Sequence, residues 1–310
     1  MDQNRRIPMR MRQPVLTALA ATASLCAALT PVTAAAAQNT PGASTAKVVN
    51  TKSRTQLDAY WTPDRIRAAK PMPAPEGPSA ARPAAPTKKG VPVHIPATRP
   101  VTAPDAGIQS SVWGTVGRLY FTIPGKGDYI CSGNVVTAAN RSVVATARHC
   151  GFGDGGTNYR FAPGYNKGNT PNGWWGWRSA GWLTGGGQEN DSAFLVLDAP
   201  NGRRVQDVVG STGLGFNWSS NYAHILGLPV DKDYAVWCEG QGYAGPSGQR
   251  LMNNCNGLSG GASGGAWIEN YQSDGSATQT GAYSGSYGAA AAASAWGNSS
   301  YDVWNGAQSS

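Results

Sequence analysis

The chain has 310 residues, with 25 Lys and Arg against 17 Asp and Glu, a formal charge of +8. That excess is local: residues 1–107 hold 14 basic and 5 acidic side chains, whereas residues 108–310 hold 11 and 12. A nearly neutral C-terminal two-thirds offers no basic face to a polyanion, so the high isoelectric point is no ground for nucleic-acid binding.

Residues 1–37 read as a secretory signal. Arg5, Arg6, Arg10 and Arg12 form its positive start, Val15 to Leu29 an apolar stretch too short for a span, and Ala34 to Ala37 a small-residue cleavage site. Cys26 lies in the apolar stretch and leaves with it. Cys131, Cys150, Cys238 and Cys255 remain. In an exported chain they are expected in disulfides, for which four cysteines allow three pairings. No Cys-x-x-Cys or His-Glu-x-x-His spacing points to a metal, and no cofactor is expected. Residues 38–106 carry ten prolines between Pro71 and Pro104. This stretch reads as a propeptide or Pro-rich linker, largely disordered, with one short helix expected over 55–70; its proline run is expected to be extended and solvated, the alternative for that run being a permanent disordered tail.

From residue 107 the texture changes to short apolar runs separated by Gly, Asn, Asp and Ser. Strands are expected at Val116–Thr122, Tyr129–Val136, Ser142–Thr146, Ala193–Leu197, Ala223–Leu228, Tyr234–Cys238, Gly265–Glu269 and Thr278–Tyr283. A short helix is expected over 299–307. Many short strands without a long amphipathic helix predict an all-β sandwich or barrel. Trp174, Trp175, Trp177 and Trp182 cluster in a Gly-rich stretch and suit packing better than binding of sugar or peptide.

The most informative run is Leu258-Ser259-Gly260-Gly261-Ala262-Ser263-Gly264-Gly265-Ala266-Trp267. A serine that attacks a carbonyl needs backbone N–H groups turned toward the oxyanion, and glycines permit that turn. The run also fits Gly-x-Ser-x-Gly, the elbow of α/β-hydrolases, but that arrangement needs a histidine after the serine. His94, His149 and His224 all precede Ser263. The order histidine, aspartate, serine stays open. His149 closes a β-branched run in "ATARHC", and Asp191 opens an apolar run in "NDSAFLVL". His224 sits inside an apolar run and reads as structural; His94 lies among prolines and reads as solvated.

Together with "GGASGGAW", "GLPVDKDYAVWCEGQ" and "NNCNGLSGG", these motifs make the chain resemble the chymotrypsin-like (trypsin-like) serine peptidases over about residues 110–290. The likeness is to their secreted bacterial branch, which includes the glutamyl endopeptidases. The resemblance implies two six-stranded β-barrels, about 107–205 and 206–310, with the active site in the cleft between them. It implies His149, Asp191 and Ser263 as catalytic triad, Gly261 and Ser263 as oxyanion hole, and Cys131–Cys150 and Cys238–Cys255 as disulfides. The substrate pocket would be walled by Gly257, Leu258 and Ser259 on one side and Tyr283, Ser284 and Gly285 on the other. Glutamyl endopeptidases carry a histidine where Tyr283 stands, and no acid awaits a basic substrate side chain, so neither charged preference is expected. Vertebrate members carry an aspartate before the serine, which pairs with a freed N-terminus. Ala262 stands here, so that activation switch is not expected. The implied activity is a secreted, monomeric serine endopeptidase acting on proteins or peptides through an acyl-enzyme, without membrane attachment once the signal is removed. The competing readings are a catalytically silent protein or cell-wall binder and an esterase with the same triad.

Overall fold

The computed structural model describes residues 44–75, 90–101, 112–185, 187–218 and 220–310. The expected signal, residues 1–37, lies outside them. The chain opens with β1 (Ser44–Val49), α1 (Arg54–Tyr60), α2 (Pro63–Ala68), β2 (Lys70–Pro71) and β3 (Val93–Ile95). A short helical turn, α3 (Val112–Thr115), leads into β4 (Val116–Ile123), β5 (Gly127–Val136), β6 (Val143–Thr146), β7 (Thr157–Pro163), β8 (Trp177–Thr184) and β9 (Ala193–Leu197). After α4 (Val205–Val209) come β10 (Gly213–Phe216), β11 (Tyr222–Gly227), β12 (Val236–Ala244), β13 (Arg250–Met252), β14 (Ala266–Glu269), β15 (Thr278–Tyr287), β16 (Ala290–Ala293) and the closing α5 (Asn298–Gln308).

These strands form two barrel-like sheets. In the first, β1-β8-β9-β6-β5-β4-β7 follow one another as a half-barrel, and an isolated bridge joins Phe161 of β7 to Trp175, just ahead of β8. In the second, β11, β12, β13, β16, β15 and β14 pair in a ring that closes through β14–β15. The runs that are continuously apolar are the ones enclosed on both faces: all five residues of β9 are buried. On α5, Val303 and Ala307 fall one turn apart and pack with Trp304 against Phe194, Phe216 and Trp296.

The region expected to be a largely disordered propeptide or linker differs most from expectation. Its segment 44–75 folds onto the first sheet. β1 runs antiparallel to β8 from Ser44↔Thr184 to Val49↔Ser179. The single helix expected over 55–70 is two, because Thr62 caps a new helix whose first residue is Pro63. Leu57 joins the main core cluster, and Trp61 packs with Tyr120 and Ile130. Proline explains the difference: between residues 44 and 70 only Pro63 interrupts, whereas the dense run begins at Pro71. Beyond residue 107, strands β7, β8, β10, β13 and β16 were not legible. The tryptophan cluster is packing: Trp175 and Trp177 are 1% and 3% exposed, and Trp177 lies in β8. β16 is four alanines, which prefer helix in isolation and are held extended by pairing with β13 and β15.

Candidate active site

Asp191 follows a single 3-10 turn, Gln188–Asn190, and is fully buried. His149 follows β6 by three residues, in a turn closed by the Cys150 N–H on the Ala147 carbonyl. The His149 ring Nδ1–H donates to Asp191 Oδ2 at 2.6 Å, and the His149 backbone N–H donates to Oδ1 at 2.8 Å. Ser284 Oγ donates to Oδ2 as well. Burial alone pushes the Asp191 carboxyl up, but the His149 charge and these hydrogen bonds outweigh it and hold the group below its ordinary value. Ser284, expected in the pocket wall, also turns its hydroxyl to this carboxylate.

Ser263 lies between β13 and β14 and is 3% exposed. Its carbonyl accepts from the Ser132 N–H at 2.6 Å and lies 3.8 Å from Cys150 Sγ. Since Cys150 is disulfide-bonded to Cys131, the serine loop rests on the link that anchors His149's neighbour. The second disulfide, Cys238–Cys255, ties β12 to the approach to Ser263.

A trans peptide sends its C=O and N–H to opposite sides. The Gly260 carbonyl accepts from the Val230 N–H at 2.8 Å, so the Gly261 N–H faces away from Val230. The Ala262 carbonyl accepts from the Gly265 N–H at 2.9 Å, which turns the Ser263 N–H outward in the same way. Neither N–H has an acceptor among the described residues. Gly261 has φ +94°, a conformation that L side chains rarely adopt, and so its lack of a Cβ permits the turn.

Of the remaining expected pocket residues, Gly257 and Ser259 are exposed and Leu258 half-buried; Tyr283 and Gly285 are buried on β15. Leu258 and Tyr283 meet in one apolar cluster with the Cys238 and Cys255 side chains. Burial pushes the Tyr283 hydroxyl up to about 12, so it stays neutral across the physiological range. His224 and His94 stand apart from these groups. His224 is buried, its Nδ1 2.9 Å from Glu239 Oε2, and its ring lies 4.6 Å from that of Trp237. His94 is exposed on β3, beside Thr278 Oγ1. Cys131, His149 and Cys150 bring possible ligand atoms within 4.8 Å of one another, but both sulfurs are tied up in the disulfide and offer no thiolate to a metal.

Segment 70–74 crosses this site. β2 runs parallel to Tyr129–Ile130 of β5, and the Met72 N–H donates to the Ile130 carbonyl at 3.0 Å. A Cβ placed on Gly260 would meet Pro71 at 2.9 Å; one placed on Gly285 would meet Ala74 at 2.6 Å. The segment thus passes from beside Gly260 to beside Gly285, the neighbours of Gly261 and Ser284 in the chain. His149 Nε2 is buried without a hydrogen-bond partner among the described residues.

No protein-family model and no curated protein sequence matches the chain. Solved structures do. The protease Anisep from Arthrobacter nicotinovorans is 31% identical, with 64% of this chain and 96% of that one aligned at a TM-score of 0.57. The thermostable serine protease AL20 from an extremophilic microorganism is 29% identical, with 64% and 98% aligned at 0.58. The chain belongs to the chymotrypsin-like serine peptidases.

Sequence reasoning missed the braces of the site. Ser132 Oγ donates to the Gly261 carbonyl at 2.9 Å and accepts the Leu228 N–H at 2.8 Å. Arg118 is fully buried in β4. The second had a signal: an arginine in the otherwise apolar run Val116-Gly117-Arg118-Leu119-Tyr120-Phe121 calls for an enclosed partner.

Proposed function

We propose that the protein is a secreted endopeptidase in which Ser263 is the nucleophile, His149 the general base and Asp191 its orienting partner. The observation that carries this reading is the doubly held His149–Asp191 pair, set through Cys150 against Ser263, whose own N–H and that of Gly261 have no acceptor among the described residues. Ser263 Oγ attacks the scissile carbonyl carbon as its proton passes to His149 Nε2. The Gly261 and Ser263 N–H groups receive the oxyanion. As the tetrahedral species collapses, the C–N bond breaks and the amine leaves with the proton from His149. Water then attacks the acyl-enzyme with His149 again as base, releasing the acid and restoring the serine. Asp191 is ionised throughout, stabilising the imidazolium.

The uncharged pair Leu258 and Tyr283 supports a preference for uncharged residues at the scissile bond. Residues 38–106 serve as a propeptide in this reading, and segment 70–74 keeps the zymogen silent by lying over the site. Two intramolecular disulfides support an extracellular location.

Labelling with a fluorophosphonate, followed by a mixed peptide library, tests the reading. The activated protein should label at Ser263 and cleave peptides, and Ser263→Ala should abolish labelling with the circular dichroism spectrum unchanged. Absence of labelling in the activated parent would favour a binding role, and labelling with ester but no peptide cleavage an esterase.

A further inference from the structure

We infer that Arg118 is a positioning residue for the oxyanion hole. It acts through residues 228–233 of the loop that connects β11 to β12. This inference rests on the peptidase reading above.

The side chain of Arg118 is fully buried and reaches from the first sheet to that loop. Nη1 donates to the Leu228 carbonyl, and Nη2 to the Pro229 carbonyl at 3.3 Å. Nη2 also lies 3.3 Å from Asp233 Oδ1, whose side chain is 45% exposed. The next residue after these two carbonyls is Val230, whose N–H grips the Gly260 carbonyl. By peptide planarity that grip fixes where the Gly261 N–H points. Proximity agrees: a Cβ on Gly261 would lie 3.1 Å from Arg118 Nη1 and 3.2 Å from Val230 N.

A buried guanidinium is expensive to desolvate, and a buried ion pair is weak evidence for stability. Here its carboxylate partner is half in water, and its Nε has no hydrogen-bond partner among the described residues. Stability alone therefore explains it poorly. The fork geometry explains it well, because two carbonyls of successive residues are held by one rigid planar group. Ala262 adds the second half of the account. With no acid beside Ser263, no ion pair to a chain terminus can organise this loop from that position. The cation on β4 organises it from behind, independently of where the chain has been cut.

Arg118→Lys and Arg118→Met, made in the full-length chain and activated as the parent is, test the inference. Kinetics on a peptide amide are normalised by active-site titration, which removes any misfolded fraction. Peptide-resolved hydrogen exchange is read over residues 228–233 and 259–262. The expected order of kcat is parent, then Lys, then Met, the last down about 10²–10³-fold, as when one oxyanion donor is lost. KM should stay within about twofold, since only the transition state carries the oxyanion. Exchange should quicken in both peptides and not in β4 to β6. Parental kcat per titrated site in a folded Met variant overturns the inference; so does parental kcat in Lys if Met does not fold. A parent that neither labels nor cleaves, with exchange still faster in the variants, faults the peptidase reading while leaving the brace in place. Unchanged exchange faults the brace itself.

Discussion

Asp191 holds His149 at two points, the ring Nδ1 at 2.6 Å and the backbone N–H at 2.8 Å. One carboxylate thus fixes both the tautomer of the imidazole and the position of its backbone. The two contacts use different oxygens, so a change at either leaves the other in place.

Asp191→Asn should keep the backbone contact and lose the correct ring tautomer, lowering kcat by about 10⁴-fold with little change in KM. The parent's acid stability follows from the same group. Its folded pKa lies below the ordinary carboxylate value, so its stabilising contribution is complete above about 3.9 and is lost as pH falls through the folded pKa. Asn at this position should flatten the stability curve below pH 4, measured by denaturant unfolding at each pH.

Removing the Cys131–Cys150 link by paired alanines should cost roughly 3 kcal/mol through the entropy of the unfolded chain. It should also lower activity beyond that loss, because Ser263 leans on Cys150 and His149 adjoins it. Comparing kcat per titrated site with the shift in denaturant midpoint separates the two effects. An equivalent change at Cys238–Cys255 should affect stability more than kcat.

Segment 70–74 should protect the site. The uncleaved chain should react slowly with a fluorophosphonate, and proteolysis between residues 76 and 106 followed by release of the N-terminal piece should speed labelling at least tenfold. Ala74→Gly, which removes the methyl facing Gly285, should speed labelling of the uncleaved chain by less. Equal rates before and after release would mean that the segment does not cover the nucleophile.

His224 gives a second pH signature. Burial holds its pKa below the ordinary value, against the pull of Glu239. The unfolded chain therefore binds the proton more readily, and stability falls as pH drops below about 6.5 toward the folded pKa. His224→Phe should shrink that slope between pH 6.5 and 5, read from thermal midpoints, with kcat near neutral pH unchanged.

The sequence alone determined the class of fold and the three residues of the candidate triad. Short β-branched runs and the paired glycines about Ser263 are local facts of the chain that point to an all-β fold and a candidate nucleophile, and the resemblance of three motifs in histidine–aspartate–serine order to a known family implied the other two members. The sequence also placed the closing helix within one residue at each end. Other features depended on distant partners. The alanines of β16 carry no strand signal and become a strand through their neighbours, and the tryptophans of segment 174–182 look like a loop until β9 lies beside them. The hydroxyl of Ser284 reaches Asp191, 93 residues away, a contact that no spacing in the chain records. Arg118 reaches its carbonyls across 110 residues or more. The packing of 44–75 against the first sheet was hidden for the same reason: Leu57 and Trp61 are only two apolar residues until a complementary surface exists to enclose them. Pattern and spacing record what a residue's neighbours in the chain require; which carboxylate, carbonyl or ring completes a buried polar group is decided where folding brings separate segments together and excludes water.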